Sequence, residues 1–184
     1  MSAFQMRPKE ELRVYTAIEQ GDLQAVKSSL EEYPQFLNQF KFDSRSPMHV
    51  AAEYNKGDVI ELLALMGASI DPIDNLHQTP LHLAVKQNSL CAIRTLCMLG
   101  SRASQTTNKF GYTPFHYTVD HCSVDAVEIL TQLGNGNINV VDNQGKTLLS
   151  YILRKKRCTL QRKEFSKLEH FENVVKLMGG EIFN

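Results

Sequence analysis

The chain has 184 residues, 42 % of them hydrophobic and 22 % charged, which suits one domain of ordinary size or two very small ones and excludes a large multi-domain enzyme. Twenty Lys and Arg balance twenty Asp and Glu, so no overall field draws the chain to nucleic acid or an anionic membrane, and any such attraction has to be local. The four cysteines (Cys91, Cys97, Cys122, Cys158) form no CxxC pair and are too sparse for a disulfide-stapled secreted fold, while the first eight residues lack a signal-peptide run and no apolar stretch of about 18 residues occurs, so an intracellular, cytoplasmic protein is expected.

In chain order, Glu11–Gln20 and Asp22–Glu32 predict a helix pair hinged at Gly21-Asp22. Ser46-Pro47-Met48-His49-Val50-Ala51-Ala52 then opens a second pair with the motif that recurs further on, where Thr79 and Thr113 are N-caps and Pro80 and Pro114 sit in the first turn, at which no N–H is lost. Val59, Ile60, Leu62 and Leu63 recur at helical spacing and give the partner helix an apolar face. Thr79-Pro80-Leu81-His82-Leu83-Ala84-Val85 repeats the opening 33 residues later, and Thr113-Pro114-Phe115-His116-Tyr117-Thr118-Val119 repeats it 34 residues after that. Gly67, Gly100 and Gly134 each follow the corresponding proline by 20 residues, where a left-handed residue would end the second helix.

A period near 33 with a Thr-Pro-Leu-His-x-Ala core resembles the ankyrin repeat over nearly the whole chain. One helix pair cannot bury both its faces, so neighbouring pairs must stack into a quasi-one-dimensional array. The expected fold is all-α, an ankyrin-repeat solenoid of stacked helix pairs with protruding finger loops. Five units are expected: a capping repeat at 9–40, repeats at 41–73, 74–107 and 108–141, and an irregular cap at 142–184. In the last unit Leu148 replaces proline, Ser150 replaces histidine, and Leu177-Met178-Gly179-Gly180 closes the pattern about eleven residues late. The two helices there are therefore lengthened or separated by an insertion near 154–163. Ser44 and His77 replace the finger glycine, and Asn55, Asn88 and Cys122 stand at the glycine between helices. Asparagine tolerates a left-handed backbone; Cys122 predicts strain or an altered junction.

No catalytic, cofactor or metal site is expected. His49, His82 and His116 occupy equivalent repeat positions, where the resemblance implies that they bond the loop backbone. There is no HExxH, no P-loop and no GxGxxG. The sequence neighbours His121 and Cys122 point in different directions and do not make a nucleophile-base pair. An unrecognised site involving Cys158, Glu164 and His170 in the irregular fifth unit is the third and weakest alternative.

Arg154-Lys155-Lys156-Arg157 and Arg162-Lys163 place six of the twenty basic residues in ten positions. This run could import the chain into the nucleus, dock an acidic partner, or touch nucleic acid or anionic lipid; otherwise it is a solvated helix end facing the negative pole of the macrodipole. The resemblance implies a protein-protein interaction module, an adaptor or scaffold, whose concave face of finger loops and inner helices binds a protein and no small-molecule substrate. The expected contact residues are Phe42, Arg45, Tyr54, Leu76, Gln78, Gln87, Phe110, Tyr112, His121 and Lys146, with Tyr54 and Tyr112 as anchors. The alternative is a regulatory subunit or inhibitor of an enzyme or transcription factor, with the basic segment at 154–163 docking an acidic partner.

Overall fold

The structure is a computed structural model that describes residues 9–38, 44–103 and 108–182. Among these the chain is helical with no strand. It forms α1 (Lys9–Gln20), α2 (Leu23–Glu32), a short 3-10 turn (Pro34–Leu37), α3 (Pro47–Glu53), α4 (Gly57–Leu65), α5 (Pro80–Lys86), α6 (Leu90–Met98), α7 (Pro114–His121), α8 (Val124–Gln132), α9 (Leu148–Cys158) and α10 (Arg162–Leu177). The helices pair antiparallel, and the pairs stack. The odd-numbered helices form one row, each packed on the next, and the even-numbered helices form a second row behind it. This is the all-α solenoid that the repeat pattern predicts.

Local chemistry sets the start of each inner helix. Ser46, Thr79, Thr113 and Thr147 hold extended N-cap dihedrals, and proline fills the first helical position in α3, α5 and α7. Ala51, Ala52 and Ala84 are fully buried and let adjacent inner helices approach closely. Val59, Ile60 and Leu63 of α4 turn into the shared core with Ile93 and Leu96 of α6 and with Val127 and Leu130 of α8. Burial of this continuous apolar seam is the main stabilising term, since a single pair exposes half of it.

The ends of the outer helices show one departure. Gly67 and Gly100 are left-handed (φ 89° and 93°) and close Schellman turns, with Ala68 N–H donating to Leu63 C=O and Ser101 N–H to Leu96 C=O. Gly134, expected to do the same, does not; Asn135 takes the left-handed conformation instead (φ 46°). Gly134 is needed for space, because a Cβ there would come within 2.8 Å of Leu130 O and 3.1 Å of Cys97 Sγ. At the junctions within the pairs, Asn55, Asn88 and Cys122 are all left-handed. Cys122 (φ 51°, ψ 46°) keeps the junction its neighbours use and bears the steric strain that a side chain meets there.

In the fifth pair the additional residues lengthen both helices: α9 has 11 residues against 7 or 8 in α3, α5 and α7, and α10 has 16. The segment after α10 folds back on the array. Asn139 clasps it, donating to Gly179 C=O and accepting from Glu181 N–H, and the Thr147 hydroxyl donates to Glu181 C=O.

Candidate partner-binding surface

The loops between pairs are built alike. Asp74 Oδ1 accepts the N–H groups of Leu76 and Gln78, Asn108 Oδ1 those of Phe110 and Tyr112, and Asp142 Oδ1 those of Gln144 and Lys146, all at 2.7–2.9 Å. An Asx side chain thus closes each turn on itself. Backbone bonds then join successive fingers: Lys109 N–H donates to Leu76 C=O, and Asn143 N–H to Phe110 C=O.

The histidines hold the base of each finger. In His49, His82 and His116 the Nδ1 accepts the backbone N–H of Ser46, Thr79 or Thr113 at 3.0–3.1 Å. The ring proton therefore lies on Nε2, which donates to Gln78, Tyr112 or Lys146 C=O at 2.9–3.0 Å. Each imidazole caps its own helix and clips the next finger. Burial pushes the His82 imidazole down to about 4, and burial lowers His116 as well, so both stay neutral near pH 7.

A second repeating contact was not read from the sequence. Tyr117 OH accepts from Gln78 Nε2 (2.8 Å) and Asn108 Nδ2 (2.7 Å). One repeat on, Tyr151 OH donates to Asp142 and lies against Tyr112 OH. Each tyrosine thus ties the finger of its own unit, at Asn108 or Asp142, to the residue before the capping threonine of the previous unit, Gln78 or Tyr112. Burial, and for Tyr151 the adjoining Asp142 carboxylate, raises both phenols. Burial disfavours ionised Asp142, but the bonds from Tyr151 and from two backbone N–H groups outweigh it and hold the carboxyl below its usual range. The available signal was the 34-residue spacing of Tyr117 and Tyr151 at the x of Thr-Pro-Leu-His-x-Ala.

The expected contact residues fall into three groups. Phe42 lies outside the described residues. Leu76 (37 % exposed), Phe110 (54 %) and Tyr54 (49 %) stand at the surface, as do Gln87 and Lys146. His121 is exposed too, and its Nε2–H caps Lys86 C=O of α5 at 3.0 Å. The other three are engaged in contacts within the molecule. Gln78, expected at the surface, is 2 % exposed because its amide serves Tyr117. Tyr112, expected as an anchor, is half-buried; its ring stacks on His116 and meets Tyr117 and Tyr151 edge-on. Arg45 is half-buried and pairs with Glu53 at 2.6 Å.

The basic run is divided. Lys155 Nζ donates to the terminal carbonyls of α7 at Val119 and Asp120, and Lys156 pairs with Glu172 (2.9 Å) and Glu169 (3.6 Å) over the Phe165 ring. Arg154 and Arg157 remain exposed. Among the described residues no group of three or more His, Cys, Asp or Glu is arranged to hold a metal, and no helix is long and apolar enough to cross a membrane.

Comparison with known proteins agrees with this geometry. A family profile for ankyrin repeats in three copies matches residues 14–107, and a single-repeat profile matches 110–143. The Saccharomyces cerevisiae protein named "Probable 26S proteasome regulatory subunit p28" is 31 % identical over 126 residues, covering 68 % of this chain and 55 % of that protein. Rabankyrin-5 of Mus musculus is 25 % identical over 107 residues, 58 % of this chain and 9 % of its own length. The phosphate system positive regulatory protein PHO81 of S. cerevisiae is 27 % identical over 150 residues, 72 % and 13 % respectively. The chain thus spans about half the length of the first relative and a small part of the other two. With family profiles over most of its length and the stacked, finger-bearing helix pairs described above, the chain belongs to the ankyrin-repeat family.

Proposed function

We propose that the chain acts without catalysis, as an intracellular, cytoplasmic adaptor or scaffold that grips one protein partner along its finger tips and inner-helix ends. The observation that carries this reading is the rim made by Leu76 and Phe110. They occupy equivalent places on successive fingers, both exposed, on loops fixed by Asx turns and by inter-finger backbone bonds. Apolar side chains held rigidly in solvent lose little entropy on binding, so they suit the anchors of an interface. Tyr54, Gln87 and His121 extend the same surface across the inner-helix ends. The unit boundaries given above, with capping repeats at 9–40 and 142–184, belong to this proposal.

The alternative, a regulatory subunit or inhibitor, is favoured by the names of two relatives, a proteasome regulatory subunit and a positive regulatory protein. It shares the same binding surface and differs in what the partner does once held.

The test is capture of partners from cell extract by the intact chain and by Leu76→Ala/Phe110→Ala, followed by titration of the recovered partner. Truncation of two anchors should weaken binding by about 2 kcal/mol or more, roughly thirtyfold, with helical circular dichroism unchanged. Equal affinity for both proteins would remove the finger tips from the interface.

A further inference from the structure

Beyond the fingers, the array carries a second surface feature at the open side of α9. A cleft of about 420 Å³ lies there between the fourth finger and the segment after α10. Lys146, Arg154 and Arg157 supply its charge, Leu153 and Ile182 its apolar wall, and no carboxylate is among the described residues that line it. None of these three cations has a carboxylate partner among the described residues.

The construction of α9 accounts for this. Ser150 stands where His49, His82 and His116 clip a following finger, and its hydroxyl lies 3.3 Å from Thr147 Oγ1, so no side chain at this position reaches across the cleft to fasten a following loop. The helix also runs past the point where α3, α5 and α7 turn, and the added turn brings Arg157 beneath Arg154, three residues apart on one face. Of the four consecutive cations, Lys155 and Lys156 are spent inside the protein. Arg154 and Arg157 are left for the cleft, with Lys146 opposite on the finger.

We infer that this cleft is a docking site for an acidic peptide segment of a protein partner, its carboxylates paired with Lys146, Arg154 and Arg157 and one apolar side chain set against Leu153 and Ile182. Guanidinium groups fit carboxylates in bidentate pairs. A lipid surface calls for a flat or protruding basic face, whereas these cations line a concavity. Single-stranded nucleic acid is held by stacking its bases on aromatic faces, but the one aromatic ring among the described lining residues, Tyr151, is engaged in T-shaped contacts with Tyr112 and His116. The site extends the protein-partner reading to a second place on the chain and does not depend on the finger-tip rim.

The experiment is fluorescence polarisation with the intact chain and a fluorescein-labelled peptide of repeated Glu-Asp-Leu triplets, beside the Gln-Asn-Leu counterpart. The acidic peptide is expected to bind at least tenfold more tightly than the neutral one. Arg154→Gln/Arg157→Gln should reduce that affinity at least tenfold, while Arg162→Gln/Lys163→Gln and Leu76→Ala/Phe110→Ala leave it unchanged, all with wild-type melting curves. Equal binding of the two peptides, an equal loss with the Arg162/Lys163 variant, or tighter binding of phosphatidylserine vesicles or a single-stranded oligonucleotide would each overturn the assignment. Failure of the finger-tip variant to alter partner capture would leave these results standing, so the two proposals fail separately.

Discussion

Replacement of His82 by Gln should flatten the pH dependence of stability between pH 7.5 and 5. In the folded chain His82 is fully buried, its Nδ1 occupied by Thr79 N–H and its Nε2–H by Tyr112 C=O, and burial pushes its pKa from the ordinary 6.5 down to about 4. The unfolded chain therefore binds a proton that the native state refuses. The stability that depends on a neutral His82 is fully present above pH 6.5 and is lost as pH falls toward 4. At pH 5 those two values give a loss of about 2 kcal/mol relative to pH 7.5, out of a total stability on the order of 10 kcal/mol. Gln at the third helical position still accepts the N-cap N–H but does not titrate. The His82→Gln protein should accordingly be about 1–2 kcal/mol less stable at pH 7.5, through the weakened bond to Tyr112, yet lose about 2 kcal/mol less than wild type on acidification. Urea unfolding of both proteins at the two pH values measures this, with His116 and the carboxylates titrating alike in each. Parallel losses in the two proteins would show that the buried clip is not the titrating element.

Cys122→Gly should raise stability by about 0.5–1 kcal/mol, because relief of a left-handed Cβ exceeds the entropy that glycine adds to the unfolded chain; a lower melting temperature would contradict the strain at this junction. Tyr151→Phe should cost about 1–3 kcal/mol in chemical unfolding, since buried Asp142 loses a donor, and unchanged stability would exclude the tyrosine contact as a support of the fourth finger.

Features governed by residues three or four apart were legible in the sequence. Thr79 and Pro80 act within one helical turn, so the start of the helix followed from the motif, while the bond of the imidazole to the next loop, 30 residues on, was implied only by the resemblance to ankyrin repeats. The left-handed junction at Cys122 was likewise visible, because Asn55 and Asn88 occupy the same place. What failed to appear depended on partners in neighbouring repeats. Gly134 looks like Gly67 and Gly100, but its role is set by Cys97 and Ala103 against its Cα, and the turn falls on Asn135. The division of Arg154–Arg157 could not be read either, since the acceptors of Lys155 lie 35 and 36 residues back and the Glu172 that holds Lys156 lies 16 ahead. In the candidate surface, Leu76, Phe110 and Tyr54 stood out as apolar residues on loops and helix ends. Gln78 and Tyr112 are less exposed than expected because Tyr117 and Tyr151, whose hydroxyls reach across the stack, engage them.

The imidazole clips give the array a polarity. Each histidine belongs to one pair and secures the loop that follows it, so order passes down the chain from the amino-terminal side. Fraying of α3 releases the base of the next finger at Gln78, whereas fraying of α9 leaves every finger base up to Lys146 still fastened. Damage at the two ends is therefore unequal: loss of an early pair unfastens an imidazole clip, whereas loss of the last pair removes only the hydroxyl ties of Tyr151 to Asp142 and Tyr112.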